Sequence, residues 1–276
     1  TLRSFGYTLI EGGQFAETKV LLNKVLKRQI ELEGEYFSGN AEILVSIANS
    51  EYQLNELSAA QEHAQKAIDI AIKNFGEVNS VVALGKEILG FVNHKSGNST
   101  KAILLFKEAI QINEKIYKEE STYQASTLSN LGIVYQELGS FAEAEIVLKR
   151  SVAIRKKVFG VDHPEYALSL LNLAMVYAAQ AGYDNAISML TDAMNIYIKR
   201  DLAGTNNFLK ILNNLTYIVS NLGAYEEAKK LYLQTLGILD IRKDTSSVVR
   251  YFVFNNLSGT CLAMGNYTEA VQYALK

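Results

Sequence analysis

The stretch from Leu128 to Ala167 reads LSNLGIVYQELGSFAEAEIVLKRSVAIRKKVFGVDHPEYA, and its spacing decides the fold. Gly139 separates two segments that carry apolar residues at helical intervals, and glycine suits the left-handed conformation that often ends a helix. Within the second segment, the i, i+4, i+7, i+8 spacing of a buried helical stripe is kept by Ala144, Leu148, Ser151 and Val152. The stretch therefore predicts helices over Ala125–Leu138 and Phe141–Val158.

The same pattern recurs along the whole chain with a period of 42 residues. Positions equivalent to Gly139 are Gly13, Asn55, Gly97, Ala181, Gly223 and Gly265. Five residues later each unit has a small residue, in turn Thr18, Ala60, Ala102, Ala144, Ala186, Ala228 and Ala270. A fixed period of this length is typical of helical repeat proteins, whose hairpins bury their apolar faces by stacking.

A second set of small residues stands seven positions before each of these turns. Its members are Gly6, Ala48, Gly90, Gly132, Ala174, Thr216 and Ser258, and a large apolar residue precedes each one. A small side chain lets two helix backbones approach closely, while its apolar neighbour fills the space between the helices. Each unit is therefore predicted to be a hairpin of a first helix, helix A, and a longer second helix, helix B.

With these residues in view, the stretch from Leu128 to Ala167 and its continuation LLNLAMVYAAQAGYDNAISMLTDAMNIY, Leu170–Tyr197, resemble tetratricopeptide repeats of the kinesin-light-chain-like, 42-residue subtype. The resemblance implies an all-α fold, a right-handed α-α superhelix of about seven hairpins with the first and last incomplete. It implies a single array over residues 1–276. The expected repeats are 1–40, 41–82, 83–124, 125–166, 167–208, 209–250 and 251–276.

Composition excludes several classes of function. Lys and Arg number 27 against 29 Asp and Glu, which leaves a net charge of −2 and no basic field to attract nucleic acid. Cys261 is the only cysteine, so the chain has no internal disulfide, and no apolar run is long enough to predict a membrane span. We expect a cytoplasmic protein that binds neither nucleic acid nor membrane.

The residues that could carry chemistry are dispersed. His63, His94 and His163 fall at different repeat positions, whereas a metal or catalytic site needs several side chains that converge. Asp162 and Pro164 are better explained as the N-cap and first-turn residue of the next helix A. The sequence predicts no catalytic residue, metal or cofactor, and therefore no enzyme.

One periodic set of lysines lies near the ends of helices B. It consists of Lys73, Lys115, Lys157 and Lys199. A cation in the last turn offsets the negative end of the helix dipole, and this role is the preferred interpretation. The alternative is a basic ridge that meets an acidic partner.

A set of asparagines recurs in four consecutive helices A, one residue before the interior leucine. It consists of Asn130, Asn172, Asn214 and Asn256. An asparagine amide can both donate to and accept from a peptide backbone, and in similar arrays asparagines at this position line the groove. The alternative is that they hydrogen-bond the neighbouring hairpin and fix the repeat geometry.

The inner face of the later helices A is unusually poor in charge. Ala167–Gln180 and Tyr251–Met264 have no charged residue, and Leu209–Leu222 has only Lys210. Helical spacing places on this face Leu168, Leu171, Met175, Asn213, Tyr217, Phe252 and Asn255. Earlier units offer Glu42, Glu51, Lys86, Glu87, His94 and Lys95 instead. The later units therefore predict an apolar, amide-bearing trough for a ligand.

Two functions follow from these features. The first is a non-catalytic protein-interaction scaffold that binds a peptide segment or a partner domain, including a domain of the same chain, in its concave groove. The second is the sensor or docking region of a larger effector whose catalytic domain lies outside these residues. The sequence does not choose between them.

Overall fold

The computed structural model describes residues 14–117, 120–241 and 247–276, without the side chains of Ser247 and Val248. These residues form thirteen α-helices and no strand. The helices are α1 (Phe15–Glu33), α2 (Ser38–Gln53), α3 (Leu57–Phe75), α4 (Ser80–Lys95), α5 (Ser99–Ile116), α6 (Thr122–Glu137), α7 (Phe141–Phe159), α8 (Pro164–Ala179), α9 (Tyr183–Lys199), α10 (Asn206–Asn221), α11 (Tyr225–Ile241), α12 (Ser247–Ala263) and α13 (Tyr267–Ala274). Even-numbered helices are helices A and odd-numbered ones are helices B. The predicted all-α class, built from consecutive helix pairs, is confirmed.

The chain forms two compact units, residues up to Leu138 (unit 1) and from Gly139 onward (unit 2). In unit 1, successive helices pack on one another, and helices A α2 and α4 also touch. Its core is mainly aliphatic, with Ile47 and Ile70 fully buried, and the unit also buries the ring of Phe106. In unit 2 the core includes two larger side chains, Phe208 and Tyr197, which are also buried. Each core is built from the apolar stripes of several helices, as stacked hairpins require.

The turns inside the hairpins have the conformation that the 42-residue pattern predicts. The residue at the reference position has a positive φ in every described hairpin turn, namely Asn55, Gly97, Gly139, Ala181, Gly223 and Gly265. Gly13 lies outside the described residues. At the first of these turns, Asn55 N–H donates to the Tyr52 carbonyl at 3.0 Å and Glu56 N–H donates to the Glu51 carbonyl at 2.8 Å. This paired pattern satisfies the carbonyls at the end of α2.

Close helix packing at the second set of small residues is also visible. A Cβ added to Gly90 on α4 would lie only 3.0 Å from ring atoms of Phe106 on α5. Ala48 and Ala174, at equivalent positions, have no exposed surface. In unit 2, the Thr216 hydroxyl lies 2.7 Å from the Tyr232 hydroxyl of α11. The small residue therefore sets how near helix B comes to helix A within a hairpin.

Two local predictions need correction. Helix α6 begins three residues before the predicted Ala125, because Ser121 and Gln124 form a capping box that starts the helix earlier. Asp162 is not the N-cap of α8. His163 takes that place, and its Nδ1 accepts a hydrogen bond from Glu165 N–H at 3.1 Å, while Pro164 is the first helical residue as predicted. Asp162 instead pairs with Lys199 at 2.9 Å.

Candidate functional site

A cavity of about 270 Å³ opens in unit 2 between helices A α10 and α12, with helix B α11 contributing to its wall. Three of the residues predicted to bind a partner, Asn213, Tyr217 and Asn256, meet there. The other lining residues are Thr216, Ser220, Tyr225, Tyr232, Gly259, Thr260 and Ala263. None of the ten lining side chains is charged. We call this cavity the neutral groove.

Helical periodicity brings these side chains onto one surface. On α12, Asn256, Gly259, Thr260 and Ala263 follow the i, i+3, i+4, i+7 spacing of a single helix face. The α10 residues Asn213, Tyr217 and Ser220 do the same. A Cβ added to Gly259 would meet no atom within 4 Å, so the glycine leaves open space where another residue would fill it.

Hydroxyl groups organise the wall of the neutral groove. Thr216 Oγ1 lies 2.8 Å from the Leu212 carbonyl and 2.7 Å from the Tyr232 hydroxyl. A threonine hydroxyl has one proton, so when it donates to the carbonyl, Tyr232 donates to Thr216. Burial raises the pKa of Tyr232 above its ordinary value of 10.0, which keeps the phenol protonated and able to donate.

The groove amides retain hydrogen-bonding capacity. Asn256 Nδ2 donates to the carbonyl of Phe252 at 3.0 Å, which uses one of its two N–H groups. Asn213 is exposed on α10, and Tyr217 has 62% of its surface exposed. The neutral groove therefore presents amide and phenol groups to solvent without a cation or an anion among its lining residues.

The remaining predicted asparagines have differing surroundings. Asn130 lies in unit 1, where its Nδ2 donates to Glu87 Oε2 of the preceding hairpin at 3.4 Å. Asn214 donates to the carbonyl of Lys210 in its own helix at 2.9 Å. Asn172 is partly buried on α8. At Asn130 the contact is the one expected of a residue that fixes repeat geometry.

The predicted apolar residues of the trough are less exposed than expected. Leu171 has only 7% of its surface exposed and belongs to the core of unit 2, so it is not part of an accessible surface. Leu168, Met175 and Phe252 are partly buried against the same core. Asn255 is exposed on α12. Helical spacing alone missed the contribution of α11, whose Tyr225 and Tyr232 complete the groove wall.

In unit 1, three of the six predicted polar positions, Glu51, Lys86 and His94, contact a side chain that can carry the opposite charge. Glu51 is buried against His63, with Oε2 and Nδ1 2.7 Å apart. His94 Nε2 lies 2.5 Å from Glu137. The periodic lysines lie in the last turns of α3, α5, α7 and α9 as predicted, and Lys73 sits 4.1 Å from the ring centroid of Tyr36. These positions are consistent with interaction with the helix dipole.

Within the described part of the chain, no group of three or more His, Cys, Asp or Glu side chains is arranged to hold a metal ion. None of the described helices combines the length and apolar character needed to cross a membrane.

Comparison with known families agrees with this architecture. A tetratricopeptide repeat model matches residues 82–157 and 123–199. Residues 82–199 of the chain are thus matched by tetratricopeptide repeats. The predicted resemblance to kinesin-light-chain-like repeats is supported by this match and by similar solved structures. No curated protein matches the sequence significantly.

Solved tetratricopeptide repeat structures share the fold at low identity. A kinesin light chain repeat protein from Podosopora anserina has a TM-score of 0.57 and 21% identity, covering 72% of this chain and 94% of that one. A Rap protein in complex with competence and sporulation factor has a TM-score of 0.65 and 16% identity, covering 97% and 74%. A STAND signal-transduction ATPase with a tetratricopeptide repeat sensor, from Pyrococcus horikoshii, has a TM-score of 0.72 and 15% identity, covering 99% of this chain and 40% of that one.

Proposed function

We propose that this protein is a non-catalytic interaction scaffold and that the neutral groove of unit 2 binds an extended peptide segment of a partner protein. The observation that carries the proposal is the combination of amide and phenol groups with an absence of charge among the ten lining residues. An extended peptide exposes backbone N–H and C=O groups, which are neutral donors and acceptors. Asparagine is matched to both because its amide can donate and accept.

The lack of charge also restricts which segment fits. A Lys, Arg, Asp or Glu side chain of the ligand would lose its water in the groove without gaining an opposite charge, and that desolvation costs free energy. We therefore propose that the residue seated between Asn213 and Asn256 is uncharged. Tyr217 and Tyr225 supply broad apolar faces with a polar tip, a combination enriched in protein interfaces.

The comparisons support a partner-binding role in outline. One similar structure, the Rap protein, is a complex with competence and sporulation factor. The two proteins share a fold but only 16% of their residues are identical. The partner of this chain is therefore proposed from the chemistry of its own groove and not from the ligand of the Rap protein.

The test uses the full chain and a random peptide library displayed on phage. Peptides enriched on the protein are synthesised, and their affinity is measured by fluorescence anisotropy for the wild type and for the double variant Asn213→Ala/Asn256→Ala. Losing two hydrogen bonds of about 0.5–1.5 kcal/mol each should weaken binding by about 5- to 150-fold. The matched control is Asn185→Ala, which removes an exposed asparagine from helix B α9.

Thermal unfolding of all three proteins is measured alongside. Weaker binding by the double variant, with an unchanged melting temperature and an intact control, supports the groove. Unchanged affinity in the double variant contradicts the assignment of these two residues. A library that yields no enriched peptide contradicts the peptide-binding function itself.

A second candidate function is the sensor region of a larger effector. This candidate is favoured by the similarity to the STAND ATPase, which has a tetratricopeptide repeat sensor. The present chain covers 40% of that protein, which leaves room for other domains there. Sequencing the complete reading frame tests this candidate, because it requires a nucleotide-binding or catalytic domain beside the repeats.

A further inference from the structure

Glu87, on helix A α4 of unit 1, is one of two described carboxylates of that unit that are buried or partly buried, the other being Glu51. Six carboxylates of unit 1, Glu51 among them, have a lysine, arginine or histidine partner within 4 Å. These pairs are Glu31 with Arg28, Glu35 with Lys66, Glu51 with His63, Glu56 with Lys19, Glu108 with Lys86 and Glu137 with His94. Among the described residues, no basic side chain forms such a pair with Glu87. Its charge is therefore uncompensated within this part of the chain.

Two neutral groups hold the Glu87 carboxylate in place from the next helix A, α6. Thr127 Oγ1 lies 2.6 Å from Oε1, and Asn130 Nδ2 donates to Oε2 at 3.4 Å. Asn113 on α5 in turn donates to Thr127 Oγ1 at 3.3 Å. An ionised carboxylate accepts about four hydrogen bonds, so each oxygen keeps capacity for one more donor.

The adjacent lysine is held elsewhere. Lys86 precedes Glu87 on α4, but its ammonium pairs with Glu108 on helix B α5 at 2.6 Å. Lys86 therefore neutralises Glu108 and does not provide a positive charge next to the Glu87 carboxylate. Glu87 also keeps partial solvent exposure, which leaves a route by which an external group can reach it.

We propose that Glu87, with Thr127 and Asn130, forms a subsite on unit 1 for a cationic side chain of a protein ligand, best matched by arginine. A guanidinium presents parallel N–H groups that fit the two carboxylate oxygens, each of which has one acceptor position left. A buried or partly buried carboxylate gains most from such a partner because little water screens the pair. The raised pKa of Glu87, about 7 and caused chiefly by burial, is consistent with a carboxylate that lacks a cation.

This subsite is independent of the neutral groove and has its own test. The probe is N-acetyl-arginine methylamide, compared at equal ionic strength with N-acetyl-citrulline methylamide, which has nearly the same shape without the charge. The full chain is labelled with ¹³C and ¹⁵N, and the Glu87 carboxyl and Asn130 side-chain amide resonances are followed at pH 8. The arginine probe should shift both resonances saturably, and the citrulline probe should not.

The arginine probe should also lower the pH at which Glu87 titrates, because it binds the ionised form alone. At a probe concentration of twice the Kd for the ionised protein, the midpoint of the Glu87 titration should fall by about half a pH unit. An equal response to both probes, or a midpoint that neither probe moves, overturns the proposal. Because this comparison uses the wild-type protein, it does not depend on how any variant folds.

Two variants locate the interaction. Glu87→Gln keeps the shape of the side chain and should abolish the Asn130 response to the arginine probe. Glu77→Gln removes an exposed carboxylate just before α4 and should retain the Asn130 response. A Glu87→Gln protein that responds as the wild type does would place the arginine elsewhere and overturn the assignment.

Discussion

His63 Nδ1 on α3 lies 2.7 Å from Oε2 of Glu51, which is buried on α2, so one ion pair joins the two helices of a hairpin. The hydrogen bond to Glu51 is the main cause of a raised His63 pKa, above its ordinary value of 6.5. The folded protein therefore binds this proton more tightly than the unfolded chain does. The stabilisation is complete below pH 6.5 and is lost as the pH rises through the raised pKa.

We expect the free energy of unfolding of the wild type to fall as the pH rises from 6 to 8, and His63→Gln to flatten that fall. At pH 6 the variant should be less stable by about 1–3 kcal/mol, because it leaves the buried Glu51 carboxylate without a cation. Urea unfolding at several pH values measures both effects. Identical pH profiles for wild type and variant would show that the pair does not contribute.

Glu87 predicts a second pH effect, with its own window. Its pKa is raised from 4.5 to about 7, chiefly by burial, so the folded protein again holds a proton more tightly than the unfolded chain. Protonation of Glu87 therefore contributes to the free energy of unfolding fully below pH 4.5, and this contribution is lost as the pH rises through about 7. At pH 8, Glu87→Gln should be more stable than the wild type by about 1–3 kcal/mol, with little difference at pH 4.5. Glu77→Gln, which removes an exposed carboxylate, is the control for loss of one carboxylate, and urea unfolding at both pH values is the measurement.

The turn residue Ala181 has a φ of 60°, a conformation that costs an L-residue about 1–2 kcal/mol and glycine almost nothing. Ala181→Gly should raise the free energy of unfolding by about 0.5–1 kcal/mol, because the greater freedom of glycine in the unfolded chain offsets part of the gain.

The reverse exchange, Gly223→Ala, lies one repeat later at φ 78°, where an added Cβ would meet no atom within 4 Å. It should lower stability by about 1 kcal/mol through backbone strain alone. Chemical denaturation of both variants is the measurement, and changes of equal sign would contradict this account of the turns.

Gly90→Ala should destabilise unit 1 by about 1–3 kcal/mol, because the new Cβ would lie 3.0 Å from the Phe106 ring and force the packed helices apart. Gly237→Ala is the matched control on α11, since its Cβ would meet nothing within 4 Å and alanine favours a helix by up to about 1 kcal/mol. Thermal unfolding compares the two. Equal stabilisation by both substitutions would show that the glycine is not needed for close packing at α4.

Much of the fold could be predicted because each hairpin repeats the same local rules. The 42-residue spacing identified Asn55 and Ala181 as turn positions, although Ala181 was the weakest match because a positive φ costs alanine free energy; both residues have a positive φ. Capping was less predictable. The choice of His163 over Asp162 as N-cap depends on one hydrogen bond, and both residue types can accept it.

The candidate site was predictable only in part. Helical periodicity placed Asn213 and Tyr217 on the inner face, the 42-residue asparagine set added Asn256, and all three line the neutral groove. Helical periodicity also placed Leu171 on the inner face, but a wide apolar stripe does not reveal where its buried centre gives way to its exposed edge. The tyrosines of α11 were missed because only residues of helices A were expected to line the groove.

The sequence by itself determined that the chain is an array of helical hairpins, where its turns fall and which helix faces are apolar, since these depend on local conformation and on the spacing of residues along one helix. Only the tertiary structure decided that Glu87 meets Thr127 and Asn130, and that Thr216 meets Tyr232. Those contacts join different helices, and their existence depends on how closely the backbones approach and which rotamers fit between them. Backbone separation and rotamer fit do not repeat every 42 residues. The repeat therefore determines the architecture, whereas side-chain packing determines the binding surface.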